Sequence, residues 1–117
     1  MSISLVEDVI GQITNQIGIV TRLEKTAHAG ERQFRHGEPI SDTDMKKTVE
    51  IGMPQVVKAL IFNRIDIGND VLIRNTRNDV NVVGHLAQDG SKLNFIIITV
   101  MRKQGFKAKQ GTYTIAI

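Results

Sequence analysis

The segment from Thr26 to Gly37 holds the residues of this chain that are best suited to chemistry. In a helix, His28, Arg32 and Arg35 stand at positions i, i+4 and i+7 and share one face. An imidazole transfers protons near neutral pH, and a guanidinium binds phosphate oxygens through a planar fork. The spacing therefore indicates a site that handles a phosphate group. A solvated basic face with incidental histidines is the alternative interpretation.

Hydrophobic spacing and capping residues predict the helices that must position this segment. Three helices are expected first, over 4–17, 26–36 and 41–51. Thr26 and Ser41 are suitable N-caps, and Gly37 is a suitable stop for the basic helix. Pro54 ends the third helix and suits the first turn of another that reaches about Phe62. The β-branched residues after Pro54 also suit a strand.

The second half of the chain carries strand patterns. Four segments rich in β-branched or alternating apolar residues are expected as strands, at 71–74, 81–87, 93–102 and 112–117. The residues Gln88 to Ser91 predict a hairpin turn between two of them. Both faces of 93–102 are apolar, which is typical of a central strand. The pattern predicts one α+β domain over 1–117, with N-terminal helices packed on a four-stranded antiparallel sheet.

The composition excludes several classes of protein and of site. The 117 residues include no cysteine, so disulfides, thiolate catalysis and cysteine-ligated zinc are excluded. The longest apolar run, Phe95–Ile98, is too short to cross a bilayer. Acidic residues near the N-terminus stand where an export signal would carry lysines. We therefore expect a cytoplasmic protein with no membrane partner.

Positive charge is concentrated toward the C-terminus. Residues 61–117 carry eight Lys or Arg against four Asp or Glu, and Arg102, Lys103, Lys107 and Lys109 follow the last acid. A basic surface of this kind is the electrostatic footprint expected for nucleic acid. A soluble protein with a basic tail is the alternative.

A longer pattern combines these segments. It consists of Thr26, His28, Ala29, Arg32, Arg35, Gly37, Ile40, Ser41 and the run Ile97-Ile-Thr-Val100. In this order the residues resemble the RelE-like members of the barnase/EndoU/colicin/RelE ribonuclease superfamily, over roughly 24–103. That group includes small bacterial toxin domains. The chain departs from the pattern at Glu38-Pro39, which widen one spacing, at 54–69, which is similar to an insertion, and at Met101, where an aromatic residue is frequent.

The resemblance implies a metal-independent endoribonuclease without a cofactor. In such enzymes the 2′-hydroxyl of the RNA attacks the adjacent phosphorus, leaving a 2′,3′-cyclic phosphate and a 5′-hydroxyl end. His28 would transfer the proton, Arg32 would hold the phosphate, and Thr99 would donate a hydrogen bond or orient His28. The expected partners are RNA and a possible cognate antitoxin or immunity protein.

Further RNA contacts are expected from Arg35, His85, Arg102, Lys103, Lys107 and Lys109. His85 is equally open to a packed, structural role in its strand, and Tyr113 could stack on a base or serve structure alone. The three histidines show no metal-ligand spacing, so no metal site is expected.

A different class of function is also open. The chain could be a non-catalytic interaction module, encoded by a phage or mobile element, that binds a host protein or partner subunit. Met45, Met53 and the stretch from Phe62 to Ile67 would then supply a partner surface.

Overall fold

A computed structural model of the chain describes residues 6–14, 20–34 and 38–117. Its elements in chain order are β1 Val6–Thr14, β2 Val20–Thr26, α1 Ala27–Arg32, α2 Asp42–Ile61, β3 Asp70–Arg74, β4 Val80–Asp89, β5 Lys92–Arg102 and β6 Tyr113–Ala116. The six strands form one sheet in the order β1-β2-β5-β4-β3-β6, and α2 packs across one of its faces.

The N-terminal segment is a strand, so the helix predicted over 4–17 is wrong. β1 pairs antiparallel with β2, with register shifts between Val6 and Asp8 and between Val9 and Gly11. Each bulge interrupts the two-residue alternation of a strand, so the apolar residues fall at spacings that a helix also produces. Gly11 has a φ of 149°, which other residues rarely adopt. Residues 4, 5 and 15–17 lie outside the described residues.

The predicted architecture, N-terminal helices on a four-stranded antiparallel sheet, is also wrong. The sheet has six strands and is mixed, because β2 runs parallel to β5 and β3 runs parallel to β6. The strands expected in the second half are present as β3 to β6, and the hairpin turn joins β4 to β5. The predicted architecture fails at the N-terminal hairpin of β1 and β2. Strand β2 of this hairpin pairs with β5, so β5 lies inside the sheet.

One long helix replaces the two helices predicted on either side of Pro54. Ser41 caps α2 by accepting a hydrogen bond from the Asp44 N–H at 3.0 Å, as its sequence position indicates. Pro54 lies inside α2 on its exposed side, where water can satisfy the carbonyl that loses its intrahelical partner. At Gly52 an added Cβ would lie 2.7 Å from Ile73, so the helix approaches the sheet more closely than an alanine would allow.

The face of the sheet away from α2 carries a row of four side chains on adjacent strands. The core under α2 includes Leu23, Ile73, Val82 and Ile97, so their sequence neighbours point to the opposite face. The registers pair Glu24 with Ile96, Ile96 with His85, and His85 with Asp70. The residues of this row are therefore Glu24, Ile96, His85 and Asp70, and they belong to β2, β5, β4 and β3.

Candidate functional site

The structure brings His28 and Arg32 together on α1. The helix begins where the sequence predicts, because the Thr26 hydroxyl accepts a hydrogen bond from the Ala29 N–H at 3.2 Å. His28 is exposed and Arg32 is partly exposed. The Nε of Arg32 donates to Nε2 of His28 at 3.3 Å, the contact expected of residues at i and i+4. In this contact the guanidinium is the donor and Nε2 of His28 is the acceptor.

A partly buried polar cluster holds α1 in place. Gln33 follows α1, and its Nε2 donates to the Ile40 carbonyl and to Oδ1 of Asp42, each at 2.8 Å. The Nζ of Lys25, on β2, donates to Oε1 of Gln33 and Oδ1 of Asp42, each at 3.0 Å. The cluster of Lys25, Gln33 and Asp42 therefore ties together the end of β2, the end of α1 and the start of α2.

The cluster also changes the acidity of Asp42. Partial burial by itself raises the pKa of this carboxyl group, but hydrogen bonds from Gln33 and Lys25 and the positive charge of Lys25 outweigh it. The pKa of Asp42 is therefore lowered from its ordinary value, and the ionised form stabilises the connection between α1 and α2. The sequence interpretation missed all three members of this cluster, since their contacts span up to 17 positions.

Thr99 lies on β5 at the level where α1 begins. β2 and β5 are parallel neighbours, with Lys25 opposite Ile97, and α1 continues the chain directly from β2 and packs against β5. Thr99 follows a bulge and pairs with Val83, on the sheet face away from α2. Within the described part of the chain, no hydrogen bond joins Thr99 to His28 or Arg32.

Two of the basic residues lie at the same end of the sheet as α1. The Nη1 of Arg102 donates to the Asn78 carbonyl at 3.3 Å, and the N–H of Lys103 donates to the Asp79 carbonyl at 3.0 Å. These contacts place the end of β5 beside the β3–β4 turn, which adds an exposed cation, Arg77, that the sequence interpretation missed. The result is a basic end of the sheet formed by Arg77, Arg102 and Lys103.

Two further predicted RNA contacts lie in the connection between β5 and β6. Lys107 and Lys109 are exposed in the β5–β6 connection, where the Arg74 guanidinium donates to the Phe106 carbonyl. The structure says nothing of Arg35, which lies outside the described residues, as do His36 and Gly37.

His85 is far less accessible than a nucleic-acid contact requires. Its Nδ1 lies 2.8 Å from Oδ1 of Asp70, and the two side chains are 12% and 9% exposed. The contact joins β3 to β4 and becomes an ion pair when His85 is protonated. The sequence interpretation missed Asp70, although antiparallel pairing about the turn at 75–79 places residue 70 opposite residue 85.

Two grooves are found among the described residues, and neither is lined by His28, Arg32 or Thr99. One, of about 400 Å³, lies between β1, β2 and β5 beside Gln12, Arg22, Lys92 and Asn94. The other, of about 210 Å³, lies between α2 and β6.

Comparison with protein-family models, curated proteins and solved structures gives no match to this chain. In residues 6–14, 20–34 and 38–117, no group of three His, Asp or Glu residues is arranged to hold a metal ion. None of the described helices is both long and apolar enough to cross a membrane.

Proposed function

We propose that this protein is a small endoribonuclease that cleaves RNA without a metal ion and binds the scissile phosphate at His28 and Arg32. The observation that carries the proposal is the exposed contact between Nε of Arg32 and Nε2 of His28 at 3.3 Å. It places a proton acceptor and a phosphate-binding cation side by side on a helix that a partly buried cluster fixes in position. Transfer of the phosphoryl group to the 2′-oxygen needs both the proton acceptor and the cation at one phosphorus atom.

The contact between the two side chains suits an ordered sequence of steps. Arg32 occupies the lone pair of Nε2 in the absence of RNA, and a phosphate that binds the guanidinium draws Arg32 away from His28. Nε2 then accepts the proton of the 2′-hydroxyl while the 2′-oxygen bonds to phosphorus. The bond from phosphorus to the 5′-oxygen breaks, and that oxygen takes a proton from solvent. The products are a 2′,3′-cyclic phosphate and a 5′-hydroxyl end.

The surroundings of the helix favour RNA as the ligand. The basic end of the sheet, Arg77, Arg102 and Lys103, lies at the same end as α1, because β2 and β5 are parallel and finish in the same direction. These cations can bind phosphates on either side of the cleaved bond. Thr99, whose role as a hydrogen-bond donor stays a prediction, lies at the level where α1 begins but on the face of the sheet away from α2.

The test is cleavage of RNA in the presence of EDTA, with the new 5′ ends mapped. We expect 5′-hydroxyl ends from the wild type, and a loss of cleavage of about 10²–10⁴-fold in Arg32→Ala. Arg32→Lys should restore only part of the rate because lysine lacks the bidentate fork. Lys47→Ala, which removes an exposed cation from α2, is the matched control and should cleave as the wild type does. Failure of the wild type to cleave free or ribosome-bound RNA would refute the proposal.

Exposed apolar side chains favour a second function, that of an interaction module. Ile51, Ile61 and Phe62 are 58%, 58% and 62% exposed on the outer side of α2 and at its C-terminus. Partner surfaces use such side chains, whereas RNA contacts depend chiefly on cations. An inactive wild type with an intact fold would favour this second function.

A further inference from the structure

The groove between the C-terminal half of α2 and β6 combines two aromatic side chains with positive charge. Phe62 and Tyr113 line it, together with the cations Lys58 and Arg64. Phe62 is 62% exposed, although aromatic side chains gain most from burial. Within the described part of the chain, neither Lys58 nor Arg64 has a carboxylate partner. The groove therefore presents two uncompensated cations beside an incompletely covered aromatic side chain.

The wall of this groove is an edge of the sheet. β6 is the last strand in the sheet order and pairs only with β3 among the described strands. The N–H and C=O of Ile117 both bond toward β3, to the Arg74 carbonyl and the Thr76 N–H, each within 2.9 Å. Alternate residues of a strand point their backbone groups to opposite sides, so those of Thr114 and Ala116 point outward. Thr114 itself lines the groove.

Nothing in the sequence of β6 protects this edge. Natural edge strands are usually guarded by a lysine, a proline, a bulge or a covering loop. β6 reads Tyr-Thr-Ile-Ala, with no charge and no proline, and its pairing with β3 is regular. Its short length limits self-association but leaves room for one added strand.

We propose that this groove binds an extended acidic peptide, which adds to the sheet as a strand beside β6. The backbone of the peptide would pair with the outward N–H and C=O of Thr114, as in other cases of strand addition. The side chains that the peptide turns toward α2 would include apolar groups, which rest on Phe62 and Tyr113, and carboxylates, which meet Lys58 and Arg64.

A peptide suits this groove better than RNA does, although both are anionic. The outward backbone edge offers donors and acceptors in strand register, and only another strand supplies both in that register. The groove is also separated from α1, because β4 and β3 lie between β5 and β6 in the sheet. The proposal is therefore independent of RNA cleavage at His28, and either can fail without the other.

The experiment uses the whole protein and a fluorescent nonapeptide in which threonine occupies every second position and valine and glutamate share the others, so that valine and glutamate lie on one face of the strand. Binding is followed by fluorescence polarisation, and the site by the backbone amide signals of the ¹⁵N-labelled protein. We expect saturable binding that perturbs the amides of Thr114 and Ala116. The same peptide with lysine in place of glutamate should not bind.

Two variants test the two parts of the groove. Reversal of both cations, Lys58→Glu with Arg64→Glu, should weaken the affinity for the acidic peptide by about tenfold or more. Thr114→Pro removes an outward N–H from an edge strand, which tolerates proline, and should also weaken binding. Thr114→Ser keeps that N–H and should bind as the wild type does. Lys107→Glu, a charge reversal in the exposed β5–β6 connection, is the matched control for charge.

Several outcomes would overturn the proposal. The wild type could fail to bind the acidic peptide, or could bind the lysine peptide equally well. The amide shifts could be confined to residues 102–109. The variant with both cations reversed could bind the acidic peptide as tightly as the wild type does. Dimerisation of the wild type through β6, seen by sedimentation and abolished by Thr114→Pro, would assign the edge to a second copy of the chain. Displacement of the peptide by a short single-stranded RNA with the same amide shifts would assign the groove to RNA.

Discussion

Two of the three histidines in the chain have opposite surroundings, His28 on α1 and His85 on β4. His28 is exposed and contacts an arginine four residues away, whereas His85 is largely buried and contacts an aspartate fifteen residues away. The first can exchange a proton with a solute, and the second joins two strands. The comparison shows that the accessibility and the partner of a histidine limit the roles that it can take, since the residue type is the same.

The largest expected effect separates the two histidines by activity. His28→Ala should lower RNA cleavage by about 10²–10⁴-fold, because it removes the proton acceptor. His85→Gln, which keeps a hydrogen-bonding group near Asp70, should cleave close to the wild-type rate. Single-turnover cleavage in EDTA measures both, and circular dichroism checks that both variants are folded. Loss of cleavage in His85→Gln alone would reverse the assignment.

The next effect separates them by stability. Asp70→Ala leaves the imidazole of His85 buried without its partner and should lower the free energy of unfolding by about 1–3 kcal/mol. Arg32→Ala removes an exposed contact, and its effect on unfolding should be much smaller. Urea denaturation, monitored by circular dichroism, gives both values. Equal losses would show that the buried contact contributes no more than the exposed one.

The smallest effect concerns the support of α1. Asp42→Asn should lower the stability by about 0.5–1 kcal/mol at neutral pH, since the carboxylate is partly exposed and its ion pair with Lys25 is screened. The pKa of Asp42 is lowered in the folded state, so its contribution is present above the unfolded pKa and is lost as the pH falls through the folded value. Urea unfolding at pH 7 and below about pH 3.5 measures this. If the stability difference between the wild type and Asp42→Asn were the same in acid as at pH 7, the lowered pKa of Asp42 would not be its cause.

The parts of the site that depend on local spacing could be predicted from the sequence. The contact between His28 and Arg32 follows from helical periodicity, and Thr26 caps the helix as its side chain suggests. The cluster around Asp42 could not be predicted, because it joins residues from three elements whose packing no short pattern records.

The same distinction explains the fold. The strands from β3 to β6 and the start of α2 were found because turn residues and a cap mark their ends. β1 was mistaken for a helix because two bulges disturb its alternation, and β2 was missed although it supplies Lys25. Pro54 was expected to end a helix, but its exposed position lets α2 continue.

The parallel pairing of β2 with β5 has a consequence for how the chain folds during synthesis. Thr21 lies opposite Leu93, so 72 positions separate two residues that are neighbours in the sheet. Loop closure over such a distance is slow, and β2 leaves the ribosome long before β5 does. Until β5 is synthesised, the edge of β2 that pairs with it has no partner strand. Strands β3, β4 and β5, by contrast, are consecutive in the chain and can pair as a local meander. A nascent chain that lacks β5 therefore lacks the strand against which α1 packs, and the packing of α1 is completed only late in translation.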